Sequence, residues 1–170
     1  MATRGYTAEA EVRDLFKHGF GCKTFKPVWS MFGEKDVYGI ADFIAHFPLS
    51  HPDRPGIQTY VQVKNISRGG HGEGHDGYLK KLREFAEVYL NEKECVELWI
   101  KREPLVKIPE LHYEVTTISR DSLTGSLKEA ERVVPLKLIK SVVGEKVNAR
   151  RKPVVKNPPR GIVPVLSVQG

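Results

Sequence analysis

Asp36-Val37-Tyr38-Gly39-Ile40-Ala41-Asp42-Phe43-Ile44-Ala45-His46, followed by Tyr60-Val61-Gln62-Val63-Lys64, is the part of the 170-residue chain that decides its fold. Two apolar runs of strand length lie close in sequence. The first is interrupted by a carboxylate, and the second carries a glutamine and a lysine two apart. Side chains two apart on a strand share a face, so Gln62 and Lys64 project together while Val61 and Val63 point the other way. The same alternation puts Ile40, Asp42 and Ile44 on one face and Ala41, Phe43 and Ala45 on the other. Both faces are apolar apart from Asp42, which predicts a central strand covered on both sides. A carboxylate in such a place is costly unless it is hydrogen-bonded, paired or bound to a metal. Asp42 therefore reads either as a strand-end acid accepting from backbone amides or pairing with a lysine, or as a ligand for a divalent cation such as Mg²⁺, which takes one or two carboxylates together with substrate phosphates. Lys64 reads either as a strand-end lysine reaching solvent or as a point charge that orients water or offsets charge on phosphorus.

Outward from these runs, the pattern predicts a helix over 7–18 with Thr7 as N-cap and Val12, Leu15 and Phe16 as its apolar stripe, ended by Gly19 and Gly21. Strands are expected over 22–28, 37–46 and 57–64, the last two separated by a turn containing Pro48, Pro52, Pro55 and Gly56. The glycine-rich stretch 67–77 reads as a loop, and Leu79, Leu82, Phe85, Ala86 and Tyr89 form one face of a helix over 78–93. Strands over 95–101 and 111–119 follow. Beyond Asp121 the pattern allows a helix over 122–132, a strand or short helix over 133–143 and an extended tail. The expected fold is α/β, a central mixed β-sheet flanked by helices with a basic C-terminal extension. The expected organisation is a core over 1–120, added elements packed on it over 121–144, and the extension over 145–170.

Composition fits one domain: 40% of the residues are hydrophobic, and 170 residues suffice for a single core. The longest apolar run falls short of a bilayer span, and the first residues lack a secretory pattern, so a soluble, intracellular protein, cytoplasmic or nucleoid-associated, with no membrane partner is expected. Cys22 and Cys95 have neither zinc-like nor disulfide spacing and read as small buried thiols. The net charge is +6, and five of those charges lie in residues 145–170, where Lys146, Arg150, Arg151, Lys152, Lys156 and Arg160 face Glu145 alone. A nearly neutral body with a basic tail favours an anionic partner.

A helix glutamate, an aspartate in an apolar strand and a lysine two residues beyond a polar side chain on the next strand resemble the PD-(D/E)xK nuclease superfamily. More narrowly, Arg4-Gly5-Tyr6-Thr7-Ala8-Glu9-Ala10-Glu11-Val12, with Leu15 and His18-Gly19-Phe20, is similar to the opening of archaeal-type Holliday junction resolvases. The similarity covers about residues 4–65, and the later elements are compatible in order. It implies a restriction-endonuclease-like core and a metal-dependent endodeoxyribonuclease, acting as a homodimer on four-way DNA junctions with Mg²⁺, for which Mn²⁺ would substitute. Position by position, it assigns Glu9 to the helix glutamate of the metal site, Asp42 to the central aspartate and Lys64 to the catalytic lysine. Periodicity alone does not choose Glu9 over Glu11. Gln62 stands where most members carry Glu or Asp. Its carbonyl oxygen remains a possible ligand, and Asp36 is placed to restore the missing charge. The alternatives are a restriction- or repair-type nuclease on the same fold, or a DNA-binding protein that has lost catalysis at Gln62.

For DNA contacts the resemblance singles out Ser30 in a loop before Asp36. Arg4, Arg68 in the glycine-rich loop, and Arg150, Arg151 and Lys152 in the tail are basic residues suited to phosphate. His71, Glu73, His75 and Asp76 are interspersed with glycines, which argues for a loop that orders over DNA rather than for a preformed metal cluster.

Overall fold

The structure is a computed structural model and describes residues 4–26, 37–66, 74–103, 107 and 110–150, with side chains from Thr7 to Gly144 within that range. Helix α1 (Arg4–Asp14) runs into a π-helical turn, Leu15–Gly19, closed by the Phe20 amide donating to the Leu15 carbonyl at 3.0 Å. Among the described residues six strands follow: β1 (Lys23–Phe25), β2 (Phe43–His46), β3 (Gln58–Asn65), β4 (Glu94–Arg102), β5 (His112–Arg120) and β6 (Leu127–Pro135). Helix α2 (His75–Tyr89) connects β3 to β4, and α3 (Leu136–Arg150) follows β6. The strands form one sheet in sequence order, parallel only between β3 and β4, where the α2 crossover reverses the chain, and antiparallel elsewhere.

Strand alternation sorts the apolar residues into two clusters, one on each face. Ala8, Val12, Leu15 and Phe16 of the N-terminal helix pack with Phe43, Ala45, Val61, Val63, Trp99, Tyr113 and, from α3, Leu136 and Ile139. On the other face Leu79, Leu82, Phe85 and Ala86 of α2 pack with Tyr60, Val96, Leu98, Ile100 and Ile118. Gly19 has a steric role. A Cβ there would lie 2.8 Å from Leu15 Cδ1 and 3.0 Å from Val142 Cγ1, so the missing side chain lets α3 close on the end of the first helix. Cys22 and Cys95 are buried thiols as expected, both pushed up to about 12 chiefly by burial.

The α/β class and the mixed sheet agree with the sequence reading, and five details correct it. The first helix begins at Arg4, so Thr7 lies within it and does not cap it. The strand expected over 37–46 begins only at Phe43. Before it, Val37 to Ala41 make a tight hairpin with φ 53° at Tyr38 and 70° at Gly39, closed by a Val37–Ala41 bridge. Two consecutive positive φ values are the signature of a type I′ turn, and the kink breaks the alternation. Ala41 therefore joins the α2 cluster while Phe43 and Ala45 face α1. Residues 122–132 are not helical: a turn at 122–124 leads into β6, whose Leu127 to Pro135 pair along the whole of β5. Helix α2 begins at His75, inside the stretch read as loop. The helix α3 runs on to Arg150, past the boundary at 144 where an extended tail was expected. In the described residues no helix is long and apolar enough to cross a membrane.

Candidate functional site

The hairpin at 37–41 delivers Asp42 to the start of β2, one residue before the strand rather than within it. The Asp42 amide donates to the Val61 carbonyl at 2.8 Å, the first rung of the β2–β3 ladder. Two residues along β3, the amide of Val63 donates instead to the Asp42 side chain, Oδ2, at 2.6 Å. The carboxylate thus continues the ladder where the β2 backbone turns away. This is the strand-end role that the sequence allowed. Asp42 is half-buried, which softens the cost that a fully covered carboxylate would carry.

Gln62 is buried, and its Nε2 donates to the same Asp42 Oδ2 at 2.8 Å. Lys64, two residues on, shares its face and holds its ammonium 5.1 Å from the centroid of the Tyr78 ring on α2. Gln62 and Lys64 line a cavity of about 100 Å³ together with Gly39 and Ile40 of the hairpin and Tyr78, Lys81 and Leu82 of α2. Asp42 is therefore bonded to Gln62, and Gln62 shares the cavity wall with Lys64.

Glu9 approaches from the other side. Its helix covers the face that carries Val61 and Val63, and its Oε1 is bound by Lys26 Nζ at 2.9 Å, with Arg13 at 3.8 Å. Lys26 directly follows β1, and the pairing of Phe25 with Ile44 puts that end of β1 beside the start of β2. Glu9 thus points toward the end of the sheet where Asp42 lies, and its described partners are the two cations. Glu11 points away: its Oε2 accepts from Lys101 at 2.7 Å and from the Tyr113 hydroxyl at 2.6 Å, and burial together with that bond pushes the Tyr113 phenol above its ordinary range. Ser30, Asp36, Arg68, Arg151 and Lys152 lie outside the described residues, as do the side chains of Arg4 and Arg150.

Among the described residues, a divalent cation at this site would find one carboxylate, Asp42, and an amide beside it. As placed, Gln62 turns its NH₂ toward Asp42, and reversing the amide presents the oxygen, a hard ligand suited to Mg²⁺. With the amide reversed, Asp42 and Gln62 would offer such a cation two oxygen ligands, leaving the rest of its shell to phosphate and water. Among the described residues no group of three or more His, Cys, Asp or Glu converges on one point, and that includes His75 and Asp76, paired at 3.4 Å.

Two features escaped the sequence reading. Beside the cavity, on the other side of the hairpin, Tyr38, Tyr60, Phe85 and Tyr89 line a hollow of about 530 Å³. On the opposite face of the sheet, Glu97 is fully buried and bound by Arg54 at 2.7 Å, Arg132 at 3.0 Å and Trp99 Nε1 at 2.8 Å. The signal for Glu97 is of the same kind as that for Asp42, an acid inside the apolar run Cys95-Val96-Glu97-Leu98-Trp99-Ile100. The aromatic hollow joins three separate segments, and nothing in their spacing links them.

No family model matches the chain, and no curated protein or solved structure matches it either.

Proposed function

We propose that the protein is a metal-dependent, structure-selective DNA endonuclease that resolves four-way junctions as a homodimer. The observation that carries this reading is the convergence of Asp42, Gln62 and Lys64 at one end of the central strands, beside a cavity that also holds Lys81. Support also comes from the element order: a helix with Glu9, three antiparallel strands, a crossover helix and a parallel strand, the order that the resemblance to PD-(D/E)xK nucleases implies. The restriction-endonuclease-like core and the basic extension over 145–170 belong to the same proposal.

In this reading Asp42 and the turned Gln62 amide would hold the cation, and Glu9 would join them only by leaving Lys26. Mg²⁺, when bound, makes water more acidic and stabilises the attacking and leaving oxygens of an in-line displacement. Lys64 offsets charge on the phosphate and orients the attacking water, with its ammonium steadied over Tyr78. Lys81 adds a second cation to the wall against which a phosphate would rest.

A second reading is a DNA-binding protein without catalysis, favoured by the Gln62 amide that donates to Asp42 where a second carboxylate would otherwise hold metal. Purified protein incubated with a four-way junction, linear duplex or single strand, in Mg²⁺ or EDTA, separates the two. Symmetric nicking of the junction in Mg²⁺ that disappears in Asp42→Asn supports the nuclease. Asparagine keeps an oxygen for the Val63 amide, so the loss reports charge rather than folding. Cutting of duplex at a fixed sequence points to a restriction-type enzyme, and tight binding without cutting to the second reading.

A further inference from the structure

We infer that the hollow lined by Tyr38, Tyr60, Phe85 and Tyr89 receives an unpaired nucleobase next to the phosphate held at Asp42, Gln62 and Lys64. The inference rests on the reading of that site as a DNA phosphodiesterase and names the feature of the DNA it selects, a base out of its stack. Tyr38 and Tyr89 are 74% and 68% exposed, although each ring has an aromatic neighbour. Tyr38 stacks on Phe85 with centroids 6.0 Å apart, Tyr89 tilts against Phe85 at 5.1 Å, and Tyr60 meets Phe85 edge-on at 5.3 Å. Phe85 and Tyr60 are buried, and the two tyrosines complete the lining with most of their surface exposed. Exposed, braced aromatic faces are what sequence-tolerant stacking of bases requires.

Position ties the hollow to the candidate site. Tyr60, Gln62 and Lys64 follow one another at two-residue intervals on one face of β3, so the hollow is offset from Gln62 by about 7 Å along the strand. On α2, Lys81, Phe85 and Tyr89 repeat every four residues, so a cation beside the site is followed by two rings of the hollow, each step about 6 Å. The hairpin lies between the two, giving Tyr38 to the hollow and Gly39 and Ile40 to the cavity. An offset of about 7 Å is within the reach of one nucleotide from its phosphate to its base, and a base enters a hollow in the protein surface only by leaving its stack, as at a branch point. Unpaired bases are commonly held on aromatic side chains of this type, with cations tracking the backbone.

Quenching of 2-aminopurine tests the inference. The probe is placed as a single unpaired base at the branch of a junction, with a continuous duplex as control, in EDTA so that nothing is cut. Binding by the wild-type protein is expected to quench the probe. In Tyr38→Ala and Tyr89→Ala, affinity for the unpaired-base DNA is expected to fall about ten- to a hundredfold with loss of the quench, while duplex affinity stays within about twofold. Tyr38→Phe keeps both, because stacking uses the ring and not the hydroxyl. Both tyrosines are exposed, and thermal melts of the variants confirm that the fold is retained. Alanine variants that bind and quench as the wild type does overturn the inference and leave the nuclease reading standing, whereas failure to bind any of the DNAs removes both. Protection of the tyrosines by tetramethylammonium, with DNA binding indifferent to the substitutions, overturns it in favour of a cage for quaternary ammonium groups.

Discussion

Glu97 and Asp42 are both acids in apolar runs, and their surroundings separate them. Burial alone would raise the Glu97 pKa, but the guanidiniums of Arg54 and Arg132, with hydrogen bonds from Arg54 and Trp99, outweigh it and hold the group below its ordinary value. Its oxygens are occupied by Arg54, Arg132, Trp99 and Thr117, which ties the β2–β3 connection and β6 to the middle of β4. Glu97→Gln leaves two guanidiniums facing each other without their counter-charge, and urea unfolding should show a loss of about 3 kcal/mol. Because the folded-state pKa is lowered, the contribution of Glu97 is fully present above the ordinary carboxylate value of about 4.5 and disappears as pH falls through the folded-state value. Unfolding followed from pH 7 to pH 2 should show the wild type losing its advantage over Glu97→Gln across that acid limb. At the candidate site the sign is reversed. Gln62→Glu would place a second carboxylate where an amide now donates to Asp42 at 2.8 Å. Like charges that close destabilise the fold unless a cation bridges them. The variant should therefore melt lower than the wild type in EDTA and recover in millimolar Mg²⁺, with junction cutting preserved or raised. A variant indifferent to Mg²⁺ in both melting and cutting would refute a ligand role for position 62.

At the scale of elements, the hairpin at 37–41 decides where Asp42 ends up. Alternation in the sequence predicted one strand from Val37 to His46, and the stretch from Val37 to Ala41, which holds no charged residue, conceals a turn. The only clue is Gly39, and its φ of 70° is a conformation that residues with a Cβ adopt only under strain. Among the described residues, none beyond its chain neighbours comes within 4 Å of the position a Cβ would take, so Gly39→Ala tests the backbone. It should cost about 1 kcal/mol in chemical denaturation, with fraying of the hairpin visible as faster amide exchange at Val37 and Ala41. The pairing of Gln62 with Lys64 was legible for the opposite reason: β3 is regular from Gln58 to Asn65, so the two-residue period holds throughout. Glu9 was legible as a helix acid but not as a partner of Lys26, because their ion pair crosses from α1 to the end of β1 and leaves no periodic trace. Strand β6 escaped notice since its burial does not alternate. Lying at the edge of the sheet with most residues exposed, it spells Leu127-Lys128-Glu129-Ala130-Glu131-Arg132, a composition that also suits a helix.

The molecule as a whole combines a nearly neutral folded body with a concentrated positive charge near its C-terminal end. The two described apolar clusters draw on elements from α1 to α3, the last contributing Leu136, Ile139, Val142 and Val143. Residues 151–170 add Arg151, Lys152, Lys156 and Arg160 and no acid, so their removal strips four positive charges while leaving the described core residues in place. If those cations rest on phosphates, each contact releases counterions and contributes about 0.9 to the slope of log affinity against log salt. A chain ending at Arg150 should then bind a four-way junction with a slope shallower by up to roughly 3.6, which follows from four such contacts. Binding titrations between 50 and 200 mM salt measure the difference, and thermal melting of the two proteins should coincide. Because the Asp42 site and the aromatic hollow both lie within the described body, the truncated chain should keep its preference for unpaired over continuous duplex DNA at any one salt concentration. An unchanged slope would assign the phosphate contacts to the body, and a lost preference would mean that the tail, rather than the hollow, reads the shape of the DNA.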